Sequence, residues 1–177
     1  IREGRGKYFY ASNGDKYDGE WRQNFKHGIG KMFYNAKGEY NGYWENGRRH
    51  GEGVFTYPNG DIYSGWWKFG DKEGTGTYIF KSTAMKMFGQ WKKSKIETGR
   101  WIYPNGMYFE GAFENNKPCG KGKWVFTNGN SLDGVYEQKK KGDGEDEEEP
   151  PAEEDGEEGV EPKAKFTLLW HSDTNIA

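Results

Sequence analysis

The sequence predicts an all-β protein, an extended single-layer antiparallel meander of tandem hairpin repeats. Three observations predict it: glycine is frequent, aromatic residues replace aliphatic ones, and a short motif recurs at a fixed spacing. Residues 1–141 contain 24 of the 28 glycines, and each glycine destabilises a helix interior by about 1 kcal/mol. The same residues contain 29 aromatic residues but only ten Ile, Leu and Val, which normally fill helical bundles and doubly wound α/β domains.

The recurring motif is Tyr-x-Gly-x-Trp, with a period of about 23 residues. Clear copies begin at Tyr17, Tyr40 and Tyr63, and weaker copies begin at Met87, Phe109 and Leu132. Because side chains alternate along a strand, one face reads aromatic, glycine, aromatic, and we expect a ring from a neighbouring strand to lie over the glycine. The aromatic residues expected in the repeat core, or in contact with partners, are Tyr17, Trp21, Tyr40, Trp44, Tyr63, Trp67, Trp91, Phe109 and Phe113.

A second motif, Gly-x-Gly followed by an aromatic-rich strand, comes after most copies of the first. We expect it to supply a positive φ or a closely packed backbone where the chain turns into the second strand of a hairpin. The fourth copy keeps only Gly99, and turn sequences such as Asn13-Gly14 close most units. The repeat glycines of the two motifs are Gly19, Gly28, Gly30, Gly42, Gly51, Gly53, Gly65, Gly74, Gly76, Gly111, Gly120 and Gly122.

The motifs divide the chain into hairpin repeats, an acidic segment and a C-terminal peptide. The acidic segment contains twelve Asp and Glu and almost no apolar residues, which predicts a disordered linker, with binding of a basic partner or calcium as the alternative. The predicted segments are a partial repeat 1–16, repeats 17–39, 40–62 and 63–86, a degenerate repeat 87–108, a repeat 109–131, a partial repeat 132–141, the acidic linker 142–162 and a C-terminal anchoring peptide 163–177.

The C-terminal peptide contains an apolar island among polar residues, formed by Phe166, Leu168, Leu169 and Trp170. Its short alternation is typical of a strand. We expect it either to join the sheet edge of a partner or to fold back on the sheet of its own chain.

Charge is divided between the two ends of the chain. Residues 1–141 contain 24 Lys and Arg against 15 Asp and Glu, whereas residues 142–177 contain 2 against 13. Such a division of charge bears on partners and solubility rather than on fold, and an anionic membrane surface is therefore an alternative partner. The cations are spread through turns and strand ends of every repeat, which is typical of a solvated face and disfavours nucleic acid.

The sequence predicts no enzyme, cofactor or metal site. No nucleophile–base or metal-ligand spacing is found among the three histidines and the cysteine, which are His27, His50, His171 and Cys119. We expect a structural role for His27 and His50, because they occupy equivalent repeat positions. The Gly-x-Gly elements lead into strands rather than helices, unlike dinucleotide- and phosphate-binding loops. A single cysteine, no glycosylation sequon and no long apolar run favour a reducing, cytosolic compartment.

Protein binding is the function that the composition favours. A single-layer sheet has two faces, and we expect some of its rings to remain exposed for a partner, since exposed apolar patches mark interfaces. The alternative is that the rings cover one another along a self-sufficient ribbon.

The motif Tyr-x-Gly-x-Trp followed by His-Gly-x-Gly resembles the MORN (membrane occupation and recognition nexus) repeat. Its clearest instances are His27-Gly28-Ile29-Gly30 and His50-Gly51-Glu52-Gly53, and the resemblance covers residues 4 to about 136. Beyond the repeats, the order of a last full unit at 115–126, a degenerate unit, an acidic run and an apolar patch ending at Trp170 resembles the MORN-repeat subunits of the radial spoke head of motile cilia and flagella.

This resemblance implies a structural scaffold in the axoneme, part of the cytoskeleton of a cilium or flagellum, that faces the central pair of microtubules. The partners it implies are other radial spoke head proteins and central-pair projections, and a second copy of the chain is a further candidate. Which MORN subunit of the spoke is meant stays open, because the fourth repeat is eroded and the C-terminal region diverges. A membrane- or phospholipid-binding tether is the alternative, and a repeat segment attached to an enzyme is a third interpretation.

Overall fold

The structure is a computed structural model that describes residues 1–140 and 166–173. These residues form thirteen strands and no helix, in one open sheet in which each strand pairs antiparallel with the next along the chain. The predicted all-β, single-layer antiparallel meander is confirmed, and the predicted acidic linker 142–162 lies outside the described residues. The strands are β1 Gly4–Tyr10, β2 Asp15–Arg22, β3 Phe25–Tyr34, β4 Gly38–Glu45, β5 Arg48–Thr56, β6 Ile62–Lys68, β7 Asp71–Ile79, β8 Lys86–Lys92, β9 Lys95–Ile102, β10 Tyr108–Glu114, β11 Lys117–Val125, β12 Ser131–Lys140 and β13 Phe166–Ser172.

Two-residue turns join the two motifs of each repeat, with the Tyr-x-Gly-x-Trp motif on the strand before the turn. Both central residues have positive φ, as in type I′ turns, which match the twist of the strands: 49° and 81° at Asn46–Gly47, but also 46° and 63° at Lys93–Ser94. Only Asn46–Gly47 has the sequence that such a turn favours. These turns were therefore not predicted from the sequence, which indicated only those that connect one hairpin to the next.

The central glycines of the two motifs lie opposite one another across the sheet. Gly19 pairs with Gly30 inside one hairpin, and Gly30 pairs with Gly42 of the next hairpin. The pairing continues from β1 to β12 and forms what we call the glycine line: Gly6, Gly19, Gly30, Gly42, Gly53, Gly65, Gly76, Gly89, Gly99, Gly111, Gly122 and Gly134.

The first glycine of Gly-x-Gly forms a β-bulge. Gly28 has φ 56°, and beside it the register shifts: Gly19 pairs with Gly30, whereas Glu20 pairs with His27. The expected positive φ and the expected close packing are therefore both present, but they belong to different glycines of the motif. Both glycines lie within the second strand, not at the turn where the motif was expected.

The core lies on the face that carries the glycine line, which we call the ring face. There the Tyr17 ring lies against both Gly19 and Gly30, so that a Cβ on either glycine would collide with it. At Gly19 the ring thus comes from the same motif and not, as expected, from a neighbouring strand, whereas at Gly134 the Trp170 ring does come from the neighbouring strand β13. The opposite face, which we call the outer face, carries the alternate residues.

Candidate functional site

All nine aromatic residues predicted for the repeat core are at most 6% exposed. Side-chain alternation explains why periodicity could find them, because the first and fifth motif positions point to one face. The same cluster contains Met87, which begins the weaker fourth copy of the motif, and buried residues of the second strands and turns that the sequence motifs did not indicate: Met32, Phe55, Tyr57, Tyr78 and Ile96.

The buried rings form a ladder along the ring face from Tyr17 to Trp91, and a separate group of ring contacts extends from Trp101 to Trp170. The Tyr40 ring packs edge-to-face against Trp44 of its own motif, with 5.1 Å between ring centres, and against Trp67 of the next motif at 5.3 Å. Tyr17 and Tyr63 repeat this arrangement one period away on either side. Because aromatic pairs add about 0.5–1.5 kcal/mol beyond area burial, the ladder couples each repeat to the next.

The polar atoms of the ladder are satisfied by the backbone. Trp44 Nε1 donates to the Gly30 carbonyl at 3.0 Å, and the Tyr40 hydroxyl donates to the Tyr43 carbonyl at 2.9 Å. Equivalent bonds recur at Trp21, Trp67 and Trp91. These buried donors therefore stabilise the fold, whereas unpaired buried donors would destabilise it.

A row of cations, which we call the cation row, lies over the tryptophan rings of the ring face. Each cation comes two residues after a hairpin turn or at the equivalent place before β1. Lys and Arg were expected in solvated turns, and this row was missed because its only signal is its equal spacing. Its contacts are Arg2 with Trp21 at 5.0 Å, Lys26 with Trp44 at 4.4 Å, Arg49 with Trp67 at 4.6 Å and Lys72 with Trp91 at 5.5 Å from the ring centre.

The charges of the cation row are destabilised by their surroundings. Burial and, to a smaller extent, the positive charge of Arg49 lower the pKa of Lys26 and of Lys72 to about 8. In the described part of the chain, neither lysine forms an ion pair. The equivalent residues of the later repeats are Ile96 and Pro118, so the cation row does not continue beyond Lys72.

The outer face carries exposed apolar side chains at its centre. Ile29, Tyr43, Val54, Trp66 and Phe88 are between 39% and 51% exposed and line one shallow groove, which we call the outer patch. No residue of the outer patch was among the predicted site residues. Because Tyr43, Trp66 and Phe88 occupy the variable positions of the Tyr-x-Gly-x-Trp motif, and Ile29 that of Gly-x-Gly, periodicity alone did not indicate them.

Cross-strand ion pairs flank the outer patch. On the N-terminal side, Lys7 Nζ lies 3.4 Å from Asp18 Oδ2. On the C-terminal side, Arg100 Nε lies 2.7 Å from Glu110 Oε2, in a charge-assisted hydrogen bond. The outer face thus carries the outer patch at its centre and cross-strand ion pairs toward both ends, with the exposed rings of Phe9 and Phe33 beside the N-terminal pair.

The C-terminal peptide folds back on its own chain. β13 pairs with β12, and the Trp170 ring lies 4.9 Å from the Tyr136 ring and 6.0 Å from the Phe109 ring. Leu168 and Leu169 are half-buried, and Phe166 pairs with Lys140. Of the two expected positions, the structure shows the one on the chain's own sheet, where β13 covers the β12 edge.

The residues considered for chemistry lie apart. His50 Nδ1 is 3.3 Å from Glu45 Oε2 beside the hairpin turn, and burial raises the pKa of the Cys119 thiol. Over residues 1–140 and 166–173, no three His, Cys, Asp or Glu side chains are grouped for a metal ion, and no helix is long and apolar enough to cross a membrane.

An open sheet of tandem hairpins, held by a repeated ring-on-glycine contact, defines the class of β-repeat proteins. The MORN-repeat family model matches residues 1–15, 17–36, 40–62, 63–84 and 109–131, more than half of the chain. The chain belongs to the MORN-repeat family. A comparison with curated proteins finds no match. The family is one of structural repeats, generally non-enzymatic, that form protein-interaction or membrane-binding modules.

Proposed function

We propose that this chain is a structural scaffold subunit of the radial spoke head in motile cilia or flagella, acting through protein–protein contacts to build the head that faces the central pair. The observation that carries a protein-binding function is the outer patch. The ring face fills itself with its own aromatic ladder, whereas the outer patch leaves five apolar side chains in solvent. Patches of this kind, rimmed by polar residues, are typical of protein interfaces.

The order of segments supports the assignment to the spoke head. The order resembles that of radial spoke head protein 1 or a sister MORN subunit of the same spoke: full repeats, a degenerate unit at 132–141, an acidic run and a terminal apolar strand. A sheet of thirteen antiparallel strands also suits a scaffold, since every internal strand is hydrogen-bonded on both sides, β12 being covered by the C-terminal strand.

Co-purification from ciliated cells tests the proposal. The tagged chain is expected in isolated axonemes, cross-linked to other spoke head proteins. Trp66→Ala and Tyr43→Ala should weaken that association at least about tenfold, because exposed aromatic residues dominate interface energies. Phe126→Ala removes an exposed ring outside the outer patch and serves as the matched control. A chain that stays out of axonemes contradicts the spoke assignment.

A membrane tether is the second candidate, and the cation row favours it. Arg2, Lys26, Arg49 and Lys72 could meet anionic lipid headgroups, in a region of net positive charge. Liposome flotation with and without phosphatidylserine separates the candidates. Binding that requires the anionic lipid, falls with added salt and is lost in Lys26→Gln with Lys72→Gln supports the tether. Binding that is independent of anionic lipid contradicts it.

A further inference from the structure

We propose that the outer face binds the outer face of a second copy of this chain, about a twofold axis that runs parallel to the strands between β6 and β7. This inference does not rest on the spoke head assignment, since it follows from strand register, charge and the outer patch. The second copy would compete with other spoke head proteins for the outer patch.

One row of outer-face residues carries the argument. It lies directly beside the glycine line, one residue per strand, and the register of every strand pair places its members side by side. We call it the outer row. From β1 to β12 it reads Lys7, Asp18, Lys31, Asn41, Val54, Ser64, Thr77, Phe88, Arg100, Glu110, Lys123 and Asp133.

Rotation about the proposed axis places opposite charges over one another. It reverses the order of the strands but keeps each residue at its height along the strand, so β1 lies over β12 of the second copy. Lys7 then faces Asp133, Asp18 faces Lys123 and Lys31 faces Glu110. Because a twofold axis repeats each contact, the three combinations give six favourable charge contacts.

The centre of the outer row is also self-complementary. Asn41 faces Arg100, and Val54 faces Phe88, so that an apolar side chain meets an apolar ring. Ser64 faces Thr77 across the axis itself. In the outer row, therefore, no cation of one copy faces a cation of the other, and no carboxylate faces a carboxylate.

The other face-to-face arrangement is disfavoured by charge. A twofold axis along the glycine line would place β1 over β1 and exchange the rows on its two sides. Lys7 would then face Arg5, and Asp18 would face Glu20, so like charges would meet at both contacts. Like-charge contacts across an interface are strongly unfavourable, which selects the axis parallel to the strands.

The available area fits a stable dimer. Twelve strands at about 4.8 Å give about 53 Å, and the three outer-face rows around the glycine line span about 13 Å, or roughly 700 Å² per copy. Standard interfaces bury about 800 Å² per partner. The outer patch supplies the apolar centre, and the charged ends fix the register, since exposed ion pairs alone contribute little to affinity.

A charge-exchange experiment on the full chain tests the proposal, with sedimentation velocity as the measurement. Lys31→Glu and Glu110→Lys each create like-charge contacts at both symmetry-related positions, and each should weaken self-association at least about tenfold. An equimolar mixture of the two variants should restore a dimer, because Lys31 of one chain then meets Glu110 of the other and the substituted pair is opposite in sign. The double variant K31E/E110K should dimerise by itself for the same reason.

Two controls separate association from folding. Lys37→Glu makes the same charge change in an exposed turn and should leave the dimer unchanged. Circular dichroism melting of each variant shows whether the fold survives the loss of the Lys31–Glu39 or Arg100–Glu110 ion pair. A wild-type chain that is monomeric at about 200 µM overturns the proposal. So does a dimer that both single variants leave unaffected, or a pair of folded variants whose mixture stays monomeric.

Discussion

At the scale of single residues, the fold depends on the absence of side chains at the glycine line. The Tyr17 ring occupies the space that a Cβ on Gly30 would need, and the backbone of Gly19 lies directly opposite. The ring in turn carries the Tyr17–Trp44 contact, 5.5 Å between ring centres, which joins two repeats. A glycine in this line is therefore required by packing and not by a turn.

We expect Gly30→Ala to lower the free energy of unfolding by about 3 kcal/mol, because neither the ring nor the paired backbone can move aside without breaking the ladder. Urea unfolding followed by tryptophan fluorescence measures the change. Gly6→Ala is the matched control: it lies in the same line on an edge strand, and its Cβ would meet only Trp21 at an ordinary 3.8 Å. Equal effects at both positions would refute the packing argument.

The sequence indicated which rings fill the core, but it did not indicate the lysines that lie over those rings. The period of the motif indicated Tyr17, Trp44 and the other core rings, because alternation fixes their face. The positions of Lys26 and Lys72 over those rings could not be predicted, since a lysine in a strand can extend into solvent or lie back over a ring. Only packing against the next hairpin decides between the two.

At the scale of elements, turn conformation is uniform although turn sequence is not. Both residues of the turn at Lys93–Ser94 have positive φ, like both residues of Asn46–Gly47. Non-glycine residues adopt positive φ at a cost in conformational energy. The sequence predicted hairpins from the strands but could not place these turns, since most of them lack Asn-Gly.

Lys93→Asn should therefore raise the free energy of unfolding by about 0.5–1 kcal/mol, because asparagine tolerates the left-handed region better than lysine. The backbone N–H of residue 93, which donates to Glu73 Oε2, is retained. Chemical unfolding tests it, with Lys92→Asn in the adjoining strand as a control that should not stabilise. A loss of stability in Lys93→Asn would contradict the account of the turn.

The last strand covers β12 and itself forms the C-terminal edge of the sheet. β13 pairs along seven residues of β12, and the Trp170 ring packs over Gly134 and Tyr136. Without it, β12 would present unpaired N–H and C=O groups, the usual template for edge-to-edge association.

Deletion of residues 163–177 is expected to lower the melting temperature and to produce concentration-dependent association through β12, which light scattering would detect. Charge exchange at the outer row should not reverse this association, because the edge and the outer face are different surfaces. A truncated chain with unchanged melting and scattering would show that β13 contributes little to the sheet.

At the scale of the whole molecule, the sheet combines a self-filled ring face with an outer face that is open. The sequence predicted a sheet with rings on one side and left open whether the rings would cover one another. The structure places the motif rings in the core and leaves exposed the outer patch, whose residue types vary from repeat to repeat. A surface that varies from repeat to repeat on a constant core is invisible to a search for periodicity.

Stability should rise with pH above about pH 8. Burial holds the pKa of Lys26 and Lys72 near 8 in the folded chain, so between pH 8 and their unfolded value of about 10.4 the unfolded chain binds more protons. Above about pH 10 the trend reverses, because burial raises the pKa of Tyr17, Tyr40 and Tyr63 and the unfolded tyrosines lose protons first.

Melting temperature measured from pH 7 to 11, in a Cys119→Ser background that removes thiol titration, should therefore pass through a maximum between about pH 9 and 10. Replacing Lys26 and Lys72 together with methionine should remove the rise, and Lys37→Met should preserve it. A melting temperature that falls steadily from pH 8 in the unsubstituted cation row would contradict the burial of these lysines.

The distance between the two ends of the sheet tests the single-layer ribbon most directly. The substitutions Ser12→Cys and Asn128→Cys are introduced into a Cys119→Ser chain, and a spin label is attached to each new cysteine. The two positions lie in turns on the same side of the sheet, ten strand spacings apart. Pulsed electron–electron double resonance, with labelled chain diluted in unlabelled chain, should give one distance of about 50 Å. A distance below about 30 Å, as in a closed barrel of the same strands, would contradict the open ribbon on which both faces depend.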